Sequence, residues 1–196
     1  KRDGDTVSLI ARPGTGLGIL RGTIQTTETL LPPEAVNHLE TDELVVVTKA
    51  MTRSTVHRPA WLDYIGVKRF GDKGEVVGET RFLGLYTSTA YSALSNEIPH
   101  VRRRAAEVMV AAGVVPDSHA AKSLQAILDA YPRDELFQIG DEELYDTAMG
   151  ILRLGERART RLFVRRDVYA RFYSCLIYLP RENYNTETRV KLQEIL

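Results

Sequence analysis

Residues 44–91, LVVVTKAMTRSTVHRPAWLDYIGVKRFGDKGEVVGETRFLGLYTSTAY, read as three long strands joined by two turns. Leu44, Val45, Val46 and Val47 form an apolar, β-branched run after the turn-prone Glu40, Thr41 and Asp42, and such a run suits a strand buried on both faces. The second run, residues 56–70, alternates in its later half, with Tyr64, Gly66 and Lys68 on one face and Ile65, Val67 and Arg69 on the other. It stops at Gly71-Asp72-Lys73-Gly74, which supplies positive-φ positions for a tight hairpin. The third run, residues 76–87, resumes the alternation, so the two flanking runs are predicted to be antiparallel neighbours.

Upstream, residues 6–10 and 18–24 are short β-type runs around a glycine-containing turn. The glycines at 14, 16 and 18 have GxGxG spacing and no amphipathic helix follows, so a β-turn fits better than a dinucleotide fingerprint. Pro32 and Pro33 predict a short helix over residues 30–39. Downstream the pattern becomes helical. One helix is expected from an Asn96 N-cap to Gly113, with Ile98, Val101, Ala105, Val108 and Ala112 on one face. A second runs from Asp117 or Ser118 to Tyr131 and is stopped by Pro132; a helical turn follows over 134–137, and a third helix over 141–154 is capped by Gly155. Arg102, Arg103 and Arg104 point in three directions on such a helix, without interleaved aromatics, and read as a solvated or salt-bridged face. Strand patterns return at 161–164 and 169–179, and a loop over 180–185 leads into a helix from Thr186. A strand, a loop and a helix cannot bury a core, so residues 159–196 are expected to open a further α+β module that continues past Leu196.

The 196 residues carry 26 basic and 26 acidic side chains, interleaved. That balance argues against a nucleic-acid or membrane-surface partner, both of which would demand basic excess. A single cysteine, Cys175, offers neither a disulfide framework nor a thiolate cage, and fits a reducing, cytoplasmic setting. No run reaches transmembrane length. The first residue is not methionine, and the chain is expected to be a piece of a longer protein.

Four phrases carry a resemblance: VTKAMTRSTVHRPAWLDYIGVKRF (47–70), VVGETRFLGLYTS (76–88), AYPRDELFQI (130–139) and RLFVRRDVYARFYSCLIYLPRENYNTETR (161–189). In this order they resemble the amino-terminal, non-catalytic region of the large bacterial NAD-specific glutamate dehydrogenases. The resemblance implies an α+β fold: an antiparallel sheet with helices, PAS-like or ACT-like, over 1–94; a helical connector over 95–158; and the beginning of an ACT-like βα unit over 159–196. It implies a parent enzyme that uses NAD, no cofactor or catalytic residue within this chain, the remainder of the parent chain as partner, a homo-oligomer, and an amino-acid effector as a further candidate partner. A purely architectural oligomerisation segment is the alternative.

Two places are candidates for such an effector. Arg53, Ser54, His57, Arg58, Asp63 and Tyr64 form the most polar part of the strands: a guanidinium offers parallel donors to a carboxylate and Asp63 an acceptor to an ammonium, while a cross-strand ion pair or an inter-subunit contact is the structural alternative. Arg181, Asn185 and Thr186 stand between a strand and a helix N-terminus, where an anion is favoured but where Asn185 and Thr186 serve equally as caps. His38, His57, His100 and His119 are scattered without metal-ligand spacing.

Overall fold

Alternation along residues 45–84 builds a three-stranded antiparallel sheet in the order β4 (Val45–Arg53), β5 (Trp61–Phe70) and β6 (Val76–Gly84). In this computed structural model, residues 2–3, 6–21, 28–155 and 159–195 are described. The register pairs Val47 with Ile65 and Lys49 with Asp63 on one side of β5, and Tyr64 with Leu83 and Lys68 with Glu79 on the other. Val46, Ala50, Leu62 and Tyr64 share the core face and are joined by Leu83, Leu85, Val168 and Tyr169. Val45 and Val47 are only half-buried, so β4 is covered on one face rather than on both.

The hairpin between β5 and β6 is closed by Gly71 N–H to the Glu75 carbonyl and Gly74 N–H to the Gly71 carbonyl. Gly74 has φ +80°, whereas Gly71 is not in the left-handed region, so one glycine and not two supplies the positive φ. The other end of β5 also differs from expectation. Residues 54–60 form a turn in which the Ser54 hydroxyl donates to the Val56 carbonyl, and Pro59 can offer no ladder N–H, so the strand starts at Trp61. Strand β6 ends at Gly84 because the Tyr86 N–H is taken by the Asp63 carboxylate, and residues 88–92 turn into the short helix α2 (Ser88–Ser92).

Two compact units are present: Lys1–Tyr91 with Asp167–Phe172, and Ser92–Arg166 with Tyr173–Leu196. The first unit also holds the small antiparallel ladder of β1 (Arg2–Asp3), β2 (Thr6–Leu9) and β3 (Thr29–Leu30), and helix α1 (Pro33–Leu39). Gly18–Leu20 is a 3-10 turn rather than the start of a strand, and residues 22–24 of that expected run lie outside the described residues.

In the second unit, α3 (Val101–Ala111), α4 (His119–Ala130), α5 (Arg133–Gln138) and α6 (Asp141–Leu154) bury Val101, Val108, Leu124, Leu128, Leu136 and Leu144. Ser118 caps α4 by accepting the Ala121 N–H at 3.1 Å, and α6 ends at Gly155 as its pattern predicts. Helix α3 starts at Val101 and not at Asn96: the preceding Pro99 carbonyl accepts the Val101 N–H around His100 at φ +70°. Of the three arginines, Arg103 bridges Glu107 and Asp141 at the surface. Arg104 is buried and donates to the carbonyls of Phe137 and Ile139. Strands β7 (Arg161–Arg166) and β8 (Tyr173–Tyr178) pair antiparallel, and β8 leads through a 3-10 turn into α7 (Thr186–Ile195). The fold class is α+β with antiparallel sheets, and its last elements are the β7–β8 pair followed by α7.

Replacing Gly74 by valine is expected to cost about 1–3 kcal/mol, because a β-branched residue at positive φ is strained. A chemical-denaturation midpoint equal to wild type would show that this turn does not depend on φ.

Candidate functional site

Two polar constellations stand out, one in each unit. In the first, β4 places Thr48 on the core face, 1 % exposed, and its hydroxyl donates to Asp167 Oδ1. Arg171 Nε donates to Asp167 Oδ2 at 2.8 Å, Arg171 Nη2 reaches Thr48 Oγ1 at 3.0 Å, and the Tyr169 and Arg171 N–H groups also donate to Oδ2 at 3.2 and 3.3 Å. Burial alone would raise the Asp167 carboxyl, but the hydrogen bonds from Arg171 and Thr48 outweigh it and hold its pKa below the usual 3.8. These bonds turn residues 167–172 away from the strand expected there, with Ala170 at φ +56°.

Around this anchor, the Tyr169 ring meets Tyr64 edge-on at 6.3 Å and His38 at 6.0 Å. Tyr64 donates its hydroxyl to Glu79, and Arg81 lies 5.2 Å over its ring. Burial, and then the Glu79 charge, push the Tyr64 phenol well above its ordinary value. Lys68 is 5 % exposed and donates to the His38 carbonyl at 2.7 Å and the Thr41 carbonyl at 2.8 Å, so an ammonium caps the C-terminal end of α1. Burial and the neighbouring Lys68 keep His38 below its usual pKa, against the pull of Glu43. Most of its donors and acceptors are spent on holding the turn and α1 to the sheet, and the buried His38 Nε2 is the atom of the group that finds no hydrogen-bond partner.

The second constellation lines a cleft of about 200 Å³ among α4, α5, α6 and the β7–β8 pair. Gly150 makes the approach possible. A Cβ there would lie 2.8 Å from Phe163 Cε1, so only glycine lets the β7 ring sit on α6. Arg165, 8 % exposed, forms a two-pronged pair with Glu135 at 2.8 and 3.1 Å. Tyr131, Thr147 and Ser174 add hydroxyls, and the exposed Glu143 and Asp146 of α6 stand at the rim.

Of the residues singled out from sequence, Asp63 and Tyr64 point to opposite faces of β5. Asp63 is buried and forms a cross-strand ion pair with Lys49 at 2.6 Å. Arg53 stacks on Trp61 at 4.8 Å, Arg58 donates to the Tyr91 hydroxyl at 2.9 Å over its ring, and His57 is exposed at φ +64°. Asn185 caps α7 by accepting the Thr188 N–H at 2.8 Å; Arg181 and Thr186 are exposed beside it. Among the described residues, no group of three His, Cys, Asp or Glu is placed to hold a metal ion, and no helix is long and apolar enough to cross a membrane.

Residues 98–157 match the family "Glutamate dehydrogenase, helical motif 1" and residues 161–196 match "Glutamate dehydrogenase, ACT2 domain". The fold and these matches define a helical motif followed by an ACT-type module. Proteins named NAD-specific glutamate dehydrogenase are similar to the chain: that of Halomonas elongata is 45 % identical over 163 residues, covering 83 % of this chain and 10 % of the relative. That of Pseudomonas aeruginosa is 42 % identical over 178 residues, 91 % of this chain and 11 % of the relative, and that of Mycobacterium tuberculosis 34 % identical over 182 residues, 93 % and 10 %. The chain belongs to the NAD-specific glutamate dehydrogenase family and spans about a tenth of the length of these curated relatives.

Asp167→Asn is expected to destabilise the protein by about 3 kcal/mol at pH 7, since it removes the charge that Arg171 and Thr48 surround. Because the folded pKa is depressed, the stabilisation is fully present above the unfolded pKa and is lost as pH falls below about 3.8 through the folded value. Thermal midpoints measured from pH 7 to pH 3 should therefore converge for wild type and variant at the acid end; parallel curves would contradict the assignment.

Proposed function

We propose that the chain is a regulatory and assembly segment of an enzyme that oxidises L-glutamate with NAD and water to 2-oxoglutarate, ammonium, NADH and a proton. Catalysis and NAD binding take place in the remainder of the parent chain. The observation that carries this reading is the ACT2 match over 161–196 in a chain spanning a tenth of relatives named for that activity. In this reading the parent is cytoplasmic and homo-oligomeric, and the segment takes an amino-acid effector. An effector acts only through its differential affinity for two states of the enzyme. Arg53 with Arg58 and the 181–186 loop are exposed places where an effector carboxylate would find guanidinium donors.

A second, architectural reading is favoured by one observation. Leu162, Val164 and Tyr173, 48 %, 55 % and 66 % exposed, share the open face of the β7–β8 pair with Cys175, an apolar surface suited to covering by protein.

A panel of amino acids and 2-oxo acids separates the two readings, because a ligand of the native state raises stability by RT ln(1 + [L]/Kd). The regulatory reading expects a saturable rise in melting midpoint with an amino acid and no NADH formation from glutamate by the 196-residue chain alone. Turnover by the purified chain would overturn the placement of catalysis, and silence toward the whole panel, in the chain and in the full-length enzyme, would leave the architectural reading.

A further inference from the structure

We infer that the outer edge of β6 is where two copies of this chain pair, strand against strand, about a two-fold axis at Thr80. The inference rests on the homo-oligomeric reading above and names the contact. Strand β6 is an outer strand of its sheet, and among the described residues no strand is hydrogen-bonded to its far side. In an antiparallel ladder alternate backbone groups of an edge strand point away from the neighbour, so β6 presents N–H and carbonyl groups to a further strand. From Gly78 to Gly84 it keeps an unbroken register with β5 and contains neither proline nor lysine. The opposite edge is guarded: β4 loses register between Lys49 and Arg53, an irregularity that hinders pairing.

The sequence of β6 selects a second copy of itself as the occupant. Residues that face each other across an antiparallel pair lie on the same side of the sheet, so two copies of one strand pair about a residue that faces itself. Centred on Glu79, the pairing sets carboxylate against carboxylate; centred on Arg81, guanidinium against guanidinium. Centred on Thr80, it sets each Glu79 opposite the partner's Arg81, twice over, with the two Thr80 hydroxyls together on the other side. Within one protomer Arg81 stands 3.7 Å from Glu79, a long ion pair that the second strand shortens by bringing another guanidinium. Gly78 fits the same register. It is not in the left-handed region, and a Cβ on it would meet no heavy atom within 4 Å, so nothing inside the protomer calls for glycine. Phe82, on the same side of the sheet and 55 % exposed, comes to lie opposite the partner's Gly78, where bare backbone leaves room for the ring.

The test is sedimentation velocity of the 196-residue chain over a range of concentrations, for the wild type, R81E, E79R and an equimolar mixture of the two variants. The wild type is expected to dimerise. Each variant alone sets like charges opposite one another and should dimerise about tenfold more weakly or worse, whereas the mixture, in which every glutamate again faces an arginine, should recover the wild-type affinity. Loss of folding would not be rescued by mixing. A second arm needs no charge change: with the exposed Cys175 replaced in C175S, T80C should form a disulfide-linked dimer on mild oxidation, because a residue facing itself has its Cα atoms about 4.5–5.5 Å apart. V77C should not, since its copies stand six residues out of step, about 20 Å. A dimer that persists in R81E and leaves T80C unlinked would overturn the β6 edge and keep the homo-oligomeric reading. Linking of V77C as readily as T80C would overturn the register, and a chain that stays monomeric and unlinked would overturn the proposal. A full-length enzyme that sediments as a single chain would overturn the homo-oligomeric reading itself.

Discussion

A carboxylate with its side chain fully buried is the constraint on which the first unit depends. Asp167 is stabilised only while Thr48, Arg171 and the Tyr169 N–H all face it, and that requirement dictates the path of the chain from Asp167 to Phe172. The turn then delivers Tyr169 to the core face, where it closes against Tyr64 and His38, and Val168 joins the same cluster. Removing one partner of such a group leaves a charge without compensation in a poorly polarisable surrounding, which is why its loss outweighs that of an exposed pair. Strands β7 and β8 belong to the second unit while the six residues that join them belong to the first.

Much of this was legible in the sequence because it rests on local rules. The alternation of Tyr64, Gly66 and Lys68 against Ile65, Val67 and Arg69 placed β5 on the correct faces, and Ser118, Pro132 and Gly155 set the bounds of α4 and α6 to within a residue or two. What failed is equally physical. The segment Tyr169 to Phe172 has strand-like composition, and the group that bends it away, Thr48, stands 119 residues from Asp167 in sequence. The lysine at 68 reads as a polar residue on a strand, and only the fold brings the carbonyls of His38 and Thr41 to it.

The candidate sites show the same division. Asp63 was legible as an ionic residue of the strands, and the register supplies its partner, Lys49, directly opposite. The cleft was not legible. Glu143 reads from sequence only as an acidic residue near the start of a helix, and Arg165 falls just past the strand expected over 161–164, which the structure extends to Arg166. Their convergence needs the close approach of Phe163 to Gly150.

The most direct measurement of the account's central claim is native-state amide hydrogen exchange at Tyr169 and Arg171, whose N–H groups both donate to Asp167 Oδ2. The account predicts protection comparable to that of the paired amides of β5, because the turn is held as firmly as the sheet that carries Thr48. Exchange as fast as in the exposed turn Arg181–Asn183 would contradict it, and would mean that the buried carboxylate does not hold this segment in place.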